Sequence, residues 1–510
     1  MTTEIRSEYR QLLAKTKEII LLQTAQSIIH WDMETKMPPK AVEQRSHQLA
    51  LLSRISHKMS TDPKIGKLLK QIKTNPNYES LTQTEKRNIY LITKNYTEQI
   101  ALPEKLVTET TKQQAITVNT WKKAKKTKNF NLLKPDLTKL LTLTKQQATI
   151  LQKVKQSKTV YDALIDDYEP KMTSSQITNI FNNLQQGLKT LLQKIQNTHN
   201  QPNTNILNQQ IPIEAQRKIG FALTEALGYD TTSPNAKGRI DETEHPFTTG
   251  YYDDVRITTN YHPNNFTSSI FSILHETGHA LYDQNLNPKW KYQPIGNHCS
   301  MGIHESQSRF TENIVGRSKE FWKSILPKIR QSAPQLKNLQ LEPFIKAINK
   351  VEPTKIRIEA DEVTYNLHII IRFQIENDLF ADKIKVDELP ETWNDKYQEY
   401  LDLKIENDTE GIMQDTHWPS GLYGYFPTYT LGNIYSGQLL MKINQTIPDW
   451  RNNAGEGNLS PLQDWLAKNI HKQSNLYDPE ELIRKATGQE LNAKPYLNYL
   501  SEKYKELYGF

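Results

Sequence analysis

His275-Glu276-Thr277-Gly278-His279 sets two imidazoles four residues apart, with a carboxylate directly after the first. On a helix, residues i and i+4 share one face a turn apart, so both rings can offer a nitrogen to one tetrahedral Zn²⁺. Glu276 then projects from the adjoining side of the same turn, where a general base can take a proton from water on the metal's open position. Two histidines leave the set one protein ligand short. The downstream run GNHCSMGIHESQSRFTEN offers His298, Cys299, His304 and Glu305. Glu305 is best placed: it shares a predicted helix face with Arg309 and Glu312, and a carboxylate with two histidines leaves a fourth position for water. His298 with Cys299 is the alternative, and it would need a loop to reach the metal. A second aromatic-rich run, Gly411–Leu431, contains His417, Tyr425 and Tyr429. Its commoner role is core packing, but these groups could also donate to the oxyanion formed when a carbonyl is attacked.

Five-residue patterns arise by chance on amphipathic helices, so the motif depends on what surrounds it. Apolar residues at Ile270, Phe271, Leu274 and Leu281, preceded by the polar run Asn264–Ser269, predict a capped helix that carries it. Just upstream the texture changes at about Tyr229. Gly and Pro punctuation and the run Val255–Thr259 predict a small antiparallel sheet beside the motif helix. An exposed strand edge there could hold an extended peptide.

The rest of the chain reads as helical. Breaks are expected at Met37-Pro38-Pro39 and Leu102-Pro103, and residues 160–171 read as a turn-rich acidic connector. At 510 residues the chain exceeds the usual single-core size, so one large domain with two lobes, or two domains, is expected. Only one cysteine, Cys299, is present, which excludes an internal disulfide and makes a cytoplasmic location the default. No apolar run approaches the roughly 18 residues of a membrane span. Net charge is +7, concentrated in Lys122–Lys158, where Asp136 is the one acidic residue. Without interleaved aromatics or a Gly-rich loop, that stretch reads as a solvated helical face and not as a nucleic-acid surface.

The joint order of several short segments resembles the M32 peptidase family, the carboxypeptidase-Taq-type metallocarboxypeptidases, over essentially the whole length. They are Trp31-Asp32 with Met37-Pro38-Pro39, Tyr161–Pro170, His245-Pro246-Phe247, Asp254–Thr258, His275–His279, His304–Gln307, Ile356-Arg357 with Ala360-Asp361, and Gly411 with Gln414-Asp415 and His417-Trp418. The resemblance implies a mainly α, gluzincin-type fold, a single domain over 1–510 with two lobes around a deep groove (1–228 helical; 229–510 with the sheet and motif helix). It also implies metal ligands at His275, His279 and Glu305, a catalytic Glu276, and oxyanion donors at His417 and a tyrosine, Tyr429 ahead of Tyr425. An arginine for the substrate's C-terminal carboxylate falls on Arg357, with Arg256 second; a planar, permanently charged guanidinium suits that task. The cofactor expected is Zn²⁺, with Co²⁺ or Mn²⁺ able to occupy the same set. The partners expected are peptides with a free C-terminus and a second copy of the chain, as a homodimer. Lys171 departs from the pattern, which has glycine after Glu169-Pro170. An endopeptidase or dipeptidyl-carboxypeptidase on the same scaffold, and a non-catalytic helical binding protein, are the rival readings.

Overall fold

The structure, a computed structural model of the chain, describes residues 2–510 and is mainly helical. Proline sets several of the breaks, because it lacks an N–H and disfavours helical geometry in the residue before it. The first helix, Thr2–Thr35, ends ahead of Pro38-Pro39, and the next, Val42–Ser60, follows one 3₁₀ turn. Gln83–Ala101 stops before Pro103, after which Glu104–Thr127 begins. Among the described residues no helix is long and apolar enough to cross a membrane.

Among the described residues two hydrophobic cores form. The main one draws on residues from Ala124 to Tyr508, and Leu227 and Tyr229, on either side of the change in texture, both belong to it. A smaller one joins the first helix to Pro63–Thr74 and Gln83–Ala101 through Leu12, Ile65, Ile72 and Ile89.

Residues 160–171 do not form the expected connector. Val160–Tyr168 is a helix, capped by a reciprocal pair between Thr159 and Asp162, with Tyr161, Leu164 and Ile165 buried in the main core. Its acidic residues are used internally: Lys94 and Lys155 pair with Asp166, and Lys155 also pairs with Asp167. Lys145 and Lys134 likewise pair with Asp382 and Asp387, as a structural helical face would. Lys171 takes the left-handed conformation (φ 68°) that favours glycine, with its N–H bonded to Asp166 and its ammonium to Asp478. The turn is kept in spite of the side chain.

The sheet is small and mixed, which corrects the expected antiparallel one. Strands β1 (Gly238–Glu242), β2 (Thr248–Tyr251) and β3 (Asp254–Thr259) lie in the order β1-β3-β2. β2 and β3 form an antiparallel hairpin, whereas β1 runs parallel to β3 with Ile240 opposite Ile257. The reason is the path between β1 and β2. Thr243 N–H still bonds to Thr259 O, and the chain then crosses the end of β3 so that Phe247 O accepts from Thr258 N–H on the other edge.

The motif helix, Phe266–Gln284, is capped by Asn265 and buries Ile270, Ile273, Leu274 and Ala280. It packs against the helix Met301–Arg309, capped by Ser300, and Gly278 permits the approach: a Cβ there would stand 2.4 Å from Gln307 O and 2.6 Å from Ser308 Cα. Gly278→Ala must push the two helices apart, an overpacking that typically costs about 1–3 kcal/mol. A lowered denaturant midpoint is the expected result, and an unchanged one would show that the helices can separate freely.

Candidate active site

The crossing of these two helices brings His275, His279 and Glu305 together. Nε2 of His275 lies 3.7 Å, and Nε2 of His279 3.4 Å, from the same oxygen, Oε2 of Glu305. Two ligands of a tetrahedral ion with bonds of about 2.0–2.1 Å are separated by roughly 3.4 Å, so this donor set fits a metal ion. Burial, then the neighbouring His304, push His279 down to about 3, which keeps it as the neutral imidazole that binds metals. Burial would raise Glu305, but Arg309, whose Nε donates to Oε1 at 2.7 Å, holds it well below the usual carboxylate range. Gly432 leaves room for this carboxylate; a Cβ there would sit 2.7 Å from Glu305 Cγ.

Glu312 supports the set from behind. The helix Met301–Arg309 runs on into a π-helical segment, Phe310–Val315, and Glu312 Oε2 reaches Nδ1 of His275 at 2.9 Å. A carboxylate on the far nitrogen fixes the ring's orientation and tautomer and raises its basicity. Burial opposes the charge on Glu312, yet Arg309 and His275 bring it down to about 2. Glu312→Gln is expected to weaken metal binding about 10–100-fold, measured by competition with a chromophoric chelator; unaltered affinity would mean that His275 is held by packing alone.

Glu276 is buried and faces β2, where the Thr248 hydroxyl donates to its Oε2 at 2.6 Å. Burial raises its pKa, partly offset by His275 and this hydrogen bond. Thr248 stands opposite Ile257 in the hairpin, so both point towards the motif helix. Arg256, the next residue along β3, therefore points the other way. It pairs with Asp254 and stacks on Trp31 of the first helix, 4.2 Å from the ring centre, and does not join the cluster. Arg256, the second arginine expected to hold the substrate's carboxylate, thus lies apart from the other predicted site residues.

Arg357, His417, Tyr425 and Tyr429 do come together. The Arg357 guanidinium lies 5.4 Å from the Tyr429 ring centre, and His417 Nε2 is 3.2 Å from the Tyr429 hydroxyl. Tyr425 packs edge-on against Tyr429, while Tyr423 is buried beside Trp418 and turned away. Tyr365 ties this group to Glu305. Arg357 Nη1 donates to its hydroxyl, and Arg309 covers its ring at 4.2 Å. Burial pushes His417 down to about 4, against the pull of Asp415, leaving a neutral ring.

The segment carrying His417 is pinned by groups that spacing did not reveal. Glu376, pushed up to about 7 by burial, accepts from Trp418 Nε1, Gly424 N–H and Tyr161 O–H. Gly424 is at φ +82°, and a Cβ there would meet the Leu164 backbone at 2.8 Å, so the contact admits only glycine. Asp415 accepts from both Arg357 and Arg372. Of these, Glu376 and Arg372 lie outside every motif segment, whereas Tyr161, Arg357, Asp415 and Trp418 lie within them. The remaining third-ligand candidates do not join the set: Cys299 is buried in the main core, and His298 and His304 converge on Asp283.

Paired imidazoles on one helix, a facing carboxylate and a second, buried carboxylate beside them are the working parts of a metal-dependent hydrolase. Comparison with known proteins agrees. The family model described as Carboxypeptidase Taq (M32) metallopeptidase matches residues 11–504. Thermostable carboxypeptidase 1 of Thermus thermophilus is 38% identical with 100% of both chains covered, and carboxypeptidase 1 of Bacillus subtilis is 35% identical over 99% of each. The crystal structure of the M32 carboxypeptidase from Deinococcus radiodurans R1 superposes with a TM-score of 0.94 at 33% identity, covering 99% of this chain and 100% of that one. The chain belongs to the M32 carboxypeptidase Taq family of metallopeptidases; it is a carboxypeptidase, acts on peptides and uses a metal ion.

Proposed function

We propose that the metal is Zn²⁺, held by His275, His279 and Glu305, and that the enzyme removes single residues from the C-terminus of peptides. The observation that carries this reading is the placement of Arg357 at one end of the cluster, joined to Glu305 through Tyr365 and Arg309. When bound, the ion would act as a Lewis acid on the scissile carbonyl and lower the pKa of water.

The chain's own residues account for the remaining steps. Glu276 takes the proton from the attacking water and returns it to the leaving amine. A neutral His417 and the Tyr429 or Tyr425 hydroxyl donate to the developing oxyanion. Arg357 selects the chain end. Of its five N–H donors, Nε and one on Nη2 go to Asp415 and one on Nη1 goes to Tyr365. One N–H remains on each terminal nitrogen, and these donors can serve a substrate carboxylate.

The homodimer and the cytoplasmic location implied by the family resemblance belong to the same proposal. A timed product ladder from an unblocked peptide, with metal analysis of the purified protein, tests the central reading. Stepwise loss of one residue with zinc bound is expected. Release of dipeptides or internal fragments would favour the rival gluzincin activities, and another metal would overturn the choice of Zn²⁺.

A further inference from the structure

One turn beyond His279, the motif helix presents Asp283. Residues 275, 279 and 283 form a single i, i+4, i+8 row on one face. The facing helix supplies His304 next to Glu305, and the segment leading into it supplies His298. His304 Nε2 lies 3.2 Å, and His298 Nδ1 4.0 Å, from the same oxygen, Oδ1 of Asp283, and the three donor atoms all fall within 4.8 Å of one another. The shorter distance alone is an ordinary hydrogen bond. The longer one is not, since it exceeds hydrogen-bond reach, yet it aims a second imidazole nitrogen at the same oxygen. The two distances bracket the 3.4 and 3.7 Å found between His279, His275 and Glu305. Among the described residues these are the two groups of His, Cys, Asp or Glu that converge in this way.

We infer that Asp283, His298 and His304 form a second divalent-cation site, next to the catalytic one and built by the same pair of helices. Two imidazoles with one carboxylate select a borderline transition-metal ion, Zn²⁺ above Mg²⁺ or Ca²⁺, and leave a coordination position for water. Access is open: the His298 side chain is 35% exposed, whereas Asp283 and His304 are largely covered. The His304 ring stacks on that of His279, with centres 4.2 Å apart and planes 15° apart. An ion held by His304 therefore fixes the surface against which a catalytic-site imidazole rests. The second site rests on the proposed first one only for its effect on catalysis, not for its own donors.

The test is the number of ions bound. Metal-free protein is titrated with Zn²⁺ against a chromophoric chelator, for the unaltered chain, His298→Ala and Asp283→Asn. Two ions per chain are expected, falling to one in each variant. His298 is partly exposed and off the helices, so its removal leaves the core intact, and circular dichroism confirms the fold. One ion in the unaltered chain and still one in His298→Ala would overturn the site, as would two retained in both variants. One ion falling to none in His298→Ala would uphold this site and instead remove the proposed one at His275.

Discussion

Glu276→Gln should leave the metal in place and reduce turnover by about 10²–10⁴-fold, or roughly 3–5 kcal/mol in the barrier. Glutamine matches the shape of glutamate, and its amide oxygen can still accept from Thr248, which stands 2.6 Å from the carboxylate. The three groups proposed to hold the metal, His275, His279 and Glu305, are not touched. What is lost is a carboxylate able to accept and return a proton. Metal content and kcat measured on the same preparation separate the two effects. Activity within tenfold of the unaltered enzyme would sink the general-base role, and loss of the metal would show that Glu276 acts through the fold of the site instead.

The parts of this site legible in the sequence are those set by local periodicity. A four-residue spacing puts His275 and His279 on one face, and the 305, 309, 312 spacing does the same for Glu305, Arg309 and Glu312. The structure uses both rows, although the spacing gave no hint that Glu312 would turn to His275 while Arg309 holds Glu305. Proline breaks were legible for the same local reason. What stayed hidden depends on pairing between distant segments. Whether β1 joins β3 parallel or antiparallel is set by a crossing that composition does not encode, and the face on which Arg256 falls is set by the register of the β2–β3 hairpin. Thr248 against Glu276, and Glu376 against the His417 segment, are likewise contacts between elements far apart in the chain. His298 and His304 show the limit from the other side: their types were read as metal-binding, but their partner, Asp283, was not in the motif being completed.

Arg357 is the residue whose substitution should change what the enzyme accepts, and the structure decides which substitution is informative. Arg357 is 8% exposed and shares Asp415 with Arg372. Arg357→Ala would strand part of a buried charge network, a loss of about 3–5 kcal/mol that disturbs the neighbouring His417 segment whatever the arginine does for substrate. Arg357→Lys keeps the positive charge near Asp415 but cannot serve Asp415, Tyr365 and a substrate carboxylate together, because an ammonium lacks the planar fork. A hydrogen bond to a charged group contributes about 1.5–3 kcal/mol, so losing the bidentate pair should lower kcat/KM on a free-acid peptide by about 10²–10⁴-fold. The comparison that matters is with the same peptide ending in an amide. A general loosening of the site lowers both rates, whereas loss of a carboxylate contact lowers the free-acid rate alone and collapses the preference between them. An unchanged acid-to-amide preference in Arg357→Lys would remove this arginine from chain-end recognition, and efficient cleavage of the amide by the unaltered enzyme would favour an endopeptidase on the same scaffold.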